Sequence, residues 1–278
     1  MQKINMSSIN FLKEIKTMRF NDIKSSVRGF MSLKDVSSHE ADYEAIYQVL
    51  NNDHRKNVRA LGETLRKYVE HYKNEYARVE KLYDFDKSYG YDIVAGVDEV
   101  GRGPLAGPIV AAAVVLDNNS RNLILRINDS KKLTKEVREA LSDIIKKEAI
   151  SYSIALKTNR EIDKEGIGFC NNEIFKMAVG ELKVTPDIVL SDGYTIREFN
   201  LRNEAVIKGD TKSAAIACAS IIAKVYRDNL MEEYSKKYTQ YHFDKNVGYG
   251  TKEHIDAIIC HGSCPIHRDS FLKNILNK

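Results

Sequence analysis

The sequence predicts an α/β fold preceded by a helical N-terminal extension, and three observations carry that prediction. Over residues 1–90 there is no proline, glycine is sparse, and Lys, Glu, Asn and Tyr are abundant, a composition that favours helix. From residue 91 onward, short apolar runs alternate with amphipathic stretches, as when strands and helices take turns in one layered domain. The runs also lead to carboxylates, at Asp98 and Glu99, at Asp192 and at Asp210, which would place acids on one rim of a sheet. The expected organisation is a helical extension over 1–83, a linker over 84–90, and an α/β domain over 91–278 with helices at its C-terminal end.

With 278 residues, 43% of them hydrophobic, the chain can fill a sizeable core as one large domain or two modest ones. The net charge is only +4, so nucleic-acid affinity would have to come from local clustering of basic residues. No apolar run approaches the ~18 residues of a membrane span, and the N-terminus mixes Lys, Glu and Asn where a signal peptide needs an apolar centre. Four cysteines in a chain this long do not make a disulfide framework. A cytoplasmic, membrane-free protein is expected.

Taken in order, Val58, Leu61, Leu65, Val69, Tyr72, Tyr76, Val79 and Leu82 recur at helical spacing, predicting one long helix that is capped by Asp53 and ends near Leu82. Its basic residues, among them Arg66, Lys73 and Arg78, are interleaved with Glu63, Glu70, Glu75 and Glu80, which predicts a solvated, internally paired face. Three strands follow, at Ile93–Val97, Pro108–Leu116 and Ile150–Lys157, and could form a meander. Helices are predicted near 135–147, 159–163 and 168–182. Pro186 introduces a strand over Ile188–Ser191 ending on Asp192, and Ala205–Lys208 leads similarly to Asp210. Thr211–Lys236 reads as a long helix whose inward residues are mostly small, so that it can lie close against a sheet.

The stretch Tyr91–Pro108 organises the rest. An apolar strand delivers Asp98 and Glu99 into a turn containing Gly101, Arg102 and Gly103. Side chains alternate along a strand, so two adjacent acids can converge only if the strand ends or bulges there. Turn amides beside an arginine make a seat for phosphate. A dinucleotide-binding loop does not fit, because Gly101, Gly103 and Gly107 are not spaced as G-x-G-x-x-G and Pro108 obstructs the helix that should follow. Cys260, His261, Cys264 and His267 lie close together but lack the second half of a structural zinc site.

Residues 91–116 together with Asp129-Ser-Lys131, Ser191-Asp-Gly193, Lys208-Gly-Asp-Thr-Lys-Ser213, Ala219-Ser-Ile-Ile-Ala-Lys-Val-Tyr-Arg-Asp228, Gly248-Tyr-Gly-Thr251 and His267-Arg-Asp-Ser-Phe271 resemble bacterial ribonuclease HII. The likeness runs in order over about residues 91–271. It implies a ribonuclease H-like mixed sheet flanked by helices. It also implies endonucleolytic hydrolysis of RNA in RNA–DNA hybrids and at single ribonucleotides in duplex DNA, leaving 3′-hydroxyl and 5′-phosphate ends. The expected partners are those nucleic acids, with the protein acting as a monomer. The related ribonuclease HIII departs from Gly-Arg-Gly in its first motif and usually carries a β-rich N-terminal domain, unlike the helical extension here.

The resemblance assigns Asp98, Glu99, Asp192 and Asp210 to a catalytic, metal-binding cluster. Four gathered carboxylates repel one another unless cations neutralise them, and an all-oxygen donor set favours Mg²⁺ or Mn²⁺ in a two-metal mechanism. The resemblance also gives Gly101, Arg102, Gly103 and Tyr249 the reading of the ribose 2′-hydroxyl. Lys131, Lys212 and Lys224 are candidate phosphate partners. One departure from the family pattern is Gly166-Ile-Gly-Phe-Cys-Asn171, at the start of a predicted helix.

Overall fold

The computed structural model describes residues 6–31, 36, 39–119 and 122–276. Residues 1–5 of the expected extension and 277–278 of the expected C-terminal helices lie outside these. The chain divides into two compact units, Met1–Arg78 and Val79–Lys278.

The first unit contains helices α1 (Met6–Glu14), α2 (Phe20–Met31), α3 (Glu40–Asn51) and most of α4 (Lys56–Lys87). Phe11, Ile23, Phe30, Ile46, Leu50 and Leu65 fill its core. Asp53 does not cap α4 as expected. Its carboxylate accepts the Arg55 backbone N–H at 2.8 Å and pairs with the Arg55 guanidinium at 2.7 Å, which stabilises its charge and holds its pKa near 2. The charged face of α4 is internally paired, as expected: Arg66 with Glu63 and Glu70, and Arg78 with Glu75.

The second unit begins inside α4. Val79, Leu82 and Tyr83 belong to its core and the helix continues to Lys87, so most of the expected linker is helical, and residues 88–93 connect it to the sheet. Helical periodicity is unbroken across the boundary between the units, so it leaves no mark in the sequence.

Five strands form a mixed sheet in the order β3-β2-β1-β4-β5. The expected meander is present: β1 (Val94–Val100), β2 (Ile109–Val115) and β3 (Ser151–Lys157) are antiparallel. β4 (Ile188–Asp192) lies parallel to β1, and β5 (Asn203–Val206) parallel to β4. β2 is buried on both faces, which is why it reads as a continuous apolar run. Val110, Ala112 and Val114 face α5 (Lys135–Glu148) and α8 (Ala214–Lys237), while Ile109, Ala111 and Ala113 face α6 (Asn159–Glu165) and α7 (Ile167–Gly180). The short helices α9 (Phe243–Asn246), α10 (Lys252–His261) and α11 (Asp269–Leu276) complete the C-terminal end.

α8 lies on the sheet as closely as its small residues allow. At Gly96 a β-carbon would fall 2.2 Å from the backbone of Ala215 and Ile216, inside any tolerable contact. Replacing Gly96 with Ala must therefore push α8 away from β1, and we expect a loss of about 1–3 kcal/mol, the usual cost of overpacking a core. Urea denaturation would measure it. An unchanged midpoint would contradict the close approach.

Candidate active site

β1 does not end at its acids. Pairing with β2 runs without a bulge through Asp98↔Ala112 and Glu99↔Ala111 to Val100↔Val110, so the two side chains emerge on opposite faces of the sheet. Pairing on the other edge stops earlier, at Val97↔Ser191. Beyond that point β1 and β4 no longer pair with each other, and between the carboxyl ends of parallel strands open α/β sheets form a crevice. Asp192 closes β4 on that crevice. Asp210 does not terminate β5, as the sequence suggested, because it lies one short turn further on, within Gly209–Thr211.

Asp98 faces α8 and is 7% exposed. Burial, then the charges of Glu99 and Asp192, hold its carboxyl well above the ordinary 3.8, with the Ser220 hydroxyl acting in the opposite sense. The Ser220 hydroxyl lies 3.0 Å from that of Ser130, so the loop bearing Lys131 is tied to α8 beside Asp98. Glu99, on the other face, is raised to about 7 by burial and the Asp192 charge, partly offset by Arg102. Its Oε2 is buried without a hydrogen-bond partner. Asp210 is also raised, by burial and then by Asp192 and Asp129. The charge of Asp192 thus acts on all three of the other acids, and its own Oδ1 accepts the Gly209 N–H at 2.6 Å.

Among the described residues no three of these side chains close on one point to form a ready-made metal cage. The donors are nevertheless all oxygen, three of the four acids are held toward their protonated form, and one carboxylate oxygen has no partner. That combination suits a hard divalent cation bound by Asp98, Glu99, Asp192 and Asp210.

The glycine turn is built from inside by two arginines to which the sequence reading gave no role. Arg268, 0% exposed, donates to the carbonyls of Gly107, Arg102 and Gly101 at 2.9, 3.0 and 2.6 Å. Arg227, equally buried, donates to those of Pro108, Val247 and Ala106. Gly101 has φ +96°, and a β-carbon there would fall 2.4 Å from Arg227 Nε, so only glycine fits. With Gly101 and Arg102 carbonyls turned inward and every peptide trans, the N–H groups of Arg102 and Gly103 point outward. The Arg102 guanidinium lies 4.4 Å over the Tyr194 ring and 3.8 Å from Glu99.

Tyr249 is 42% exposed and its ring borders Gly103. His254 Nδ1 holds its carbonyl at 2.8 Å, and His254 Nε2 meets His267 Nε2 at 3.1 Å. His267 Nδ1 accepts the Cys264 N–H at 2.8 Å. Both ring nitrogens of His267 are thus engaged within the protein. Burial lowers both histidines, His267 to about 4, so the pair is neutral and relays one proton-donating direction toward the Tyr249 carbonyl. Lys131 faces Glu99 and Asp210. Lys212 follows the Asp210 turn. Lys224, expected on phosphate, instead pairs with Asp228 at 2.8 Å, which also faces Arg138. The Gly166–Asn171 departure forms the start of α7, and Asn171 and Cys170 there are buried.

A family profile for ribonuclease HII matches residues 95–274. The ribonuclease HII of Clostridium acetobutylicum is 54% identical over 262 residues, covering 93% of this chain and all of that one. That of Clostridium perfringens strain 13 is 60% identical over 240 residues, covering 86% and 88%. Among solved structures, the ribonuclease H2 of Pyrococcus horikoshii is similar with a TM-score of 0.58 and 28% identity, over 66% of this chain and 97% of that one. The ribonuclease HII of Archaeoglobus fulgidus, solved in complex with PCNA, gives 0.54 and 28%, over 64% and 94%. Relatives that share more than half their residues along nearly their whole length leave one assignment: this chain belongs to the ribonuclease HII family and is a ribonuclease H endonuclease.

Proposed function

We propose that this protein hydrolyses the RNA strand of RNA–DNA hybrids and cuts at ribonucleotides embedded in duplex DNA, leaving 3′-hydroxyl and 5′-phosphate ends. The observation that carries the reading is Asp192 at the end of β4, its charge acting on Asp98, Glu99 and Asp210 at once. Mg²⁺ or Mn²⁺ held by these acids would supply an activated water and charge stabilisation at the leaving oxygen during in-line attack on phosphorus.

The remaining steps belong to the chain itself. Arg102, propped on Tyr194, presents its guanidinium to a phosphate, whose paired oxygens it can fork. The outward N–H groups of Arg102 and Gly103 supply donors beside it, and Tyr249 closes the turn from the other side. A 2′-hydroxyl accepts and donates hydrogen bonds where deoxyribose offers nothing, so donors fixed at that spot discriminate RNA from DNA. Lys131 and Lys212 add positive charge for the backbone. Among the described residues no helix is long and apolar enough to cross a membrane. Action as a monomer on nucleic acid in the cytoplasm belongs to the same proposal.

Asp192→Asn keeps the oxygen that accepts the Gly209 N–H but removes the central charge. We expect cleavage to fall on the order of 10²-fold or more, as when a charge-stabilising group is lost, while hybrid binding stays near wild type. Gel-shift affinity measured beside product formation checks this. Cleavage near the wild-type rate would remove Asp192 from the site.

Protonation gives a test that needs no substrate. Glu99 is raised from 4.5 to about 7, so between those pH values the folded chain binds more protons than the unfolded one. Its contribution to stability is present below about 4.5 and is lost as pH rises through about 7, and Asp98 and Asp210 act in the same direction. A bound cation takes the proton's place. At a 100-fold excess over its Kd, Mn²⁺ should therefore raise Tm by about 5–10 °C at pH 8 and by much less at pH 5. Equal shifts at both pH values would contradict the cluster.

A further inference from the structure

Asp86 sits in the last turn of α4 and is 0% exposed. Its Oδ2 accepts the Ala215 N–H at 2.9 Å, and the Ser213 hydroxyl and Ala214 amide stand close enough to favour its charged form. Burial outweighs them and raises its pKa to about 7. Its Oδ1 has no hydrogen-bond partner, and among the described residues no lysine or arginine forms an ion pair with it. The free N–H groups at the positive end of α8 favour its charge, while burial and the negative end of its own helix oppose it.

The contact also ties Asp86 to the carboxylate cluster. Ala215 is the residue whose backbone rests on Gly96, two positions before Asp98. The turn that precedes it is fastened in the other direction as well. Ser213 N–H donates to the Gly209 carbonyl at 2.9 Å, and Gly209 N–H donates to Asp192 Oδ1. Asp210 lies between those two fixed points. One carboxylate from α4 thus holds the start of α8, the helix that Asp98 faces and into which the 209–211 turn leads.

We infer that Asp86 is a positioning residue for the carboxylate cluster: by anchoring the first turn of α8 it sets Asp210 relative to Asp192 and Asp98, and the affinity of the cluster for a divalent cation depends on it. The inference rests on the metal-binding reading of the four acids. It gives the end of α4, outside every catalytic motif, a role in the chemistry.

The test is Mn²⁺ binding by isothermal titration calorimetry on the full-length chain without substrate, for wild type, Asp86→Leu, Asp86→Asn, Val79→Ala and Asp192→Asn, alongside thermal melts and kcat. Asp86→Leu, close in size but unable to accept the Ala215 N–H, should bind Mn²⁺ about tenfold or more weakly, the usual effect of removing a group that orients metal ligands. Asp86→Asn retains one acceptor oxygen and should recover part of that loss, remaining about threefold weaker than wild type. Val79→Ala removes an equally buried α4 side chain; it should lower Tm and leave Mn²⁺ affinity unchanged. Wild-type Mn²⁺ affinity and kcat in folded Asp86→Leu overturn the inference. If that variant does not fold, wild-type affinity in Asp86→Asn overturns it. Should Asp192→Asn bind Mn²⁺ like wild type, the cluster reading itself fails and takes this inference with it, whereas loss in Asp192→Asn with no change at Asp86 rejects the role of Asp86 alone.

Discussion

α8 can lie against β1 only because Gly96 has no side chain, and the placement of the acids depends on that contact. It brings Ser220 to Asp98 and, through Ser130, draws in the loop that carries Lys131. It also sets the start of α8, so that the turn before it presents Asp210 next to Asp192. The small residues of α8 are needed for the same reason: a larger side chain facing the sheet would lift the helix and separate the acids.

The electrostatics of the site follow from where its cations are spent. Two fully buried arginines lie nearby, yet their donors go to six backbone carbonyls around the glycine turn rather than to the acids. Burial lowers Arg227 to about 10 and Arg268 to about 9, so both stay charged at neutral pH while fixing backbone. Arg102 and Lys131 are the cations that reach Glu99, and its Oε2 still has no partner. The mutual repulsion of the acids is not relieved within the protein, and in the proposed function a divalent cation would relieve it. Fixed cations shape the glycine turn; in the proposed function that turn meets the ribose and the unrelieved acids provide the site of hydrolysis.

Much of this was legible in the sequence. The apolar run of β2 marked a strand, the small residues of α8 announced close packing, and Asp192 before Gly193 fell where β4 ends. Other features depend on partners that no local pattern records. Whether β1 stops at Asp98 is decided by its pairing with β2, and that pairing continues to Val100. Asp210 needed a short helical turn that its neighbours do not signal. Arg227 and Arg268 drew no role because arginine is mostly a surface residue; an arginine interrupting the apolar face of α8 between Ala223 and Met231 was the available clue. Asp86 was assigned to a linker because nothing local distinguishes the last turn of a long helix from the connection after it.

The central claim is that gathered acids and a ribose-reading turn act together on one phosphodiester. It is tested most directly on a DNA duplex containing a single ribonucleotide, incubated with Mg²⁺ and with a chelator, with the cut site and end groups determined. The account predicts one cut beside the ribonucleotide, only with the divalent cation, leaving a 3′-hydroxyl and a 5′-phosphate, since water is the nucleophile in a metal-assisted in-line attack. Cutting that persists in the chelator, or ends carrying a 2′,3′-cyclic phosphate, would show that the ribose hydroxyl rather than a cation-activated water attacks phosphorus, and would contradict it.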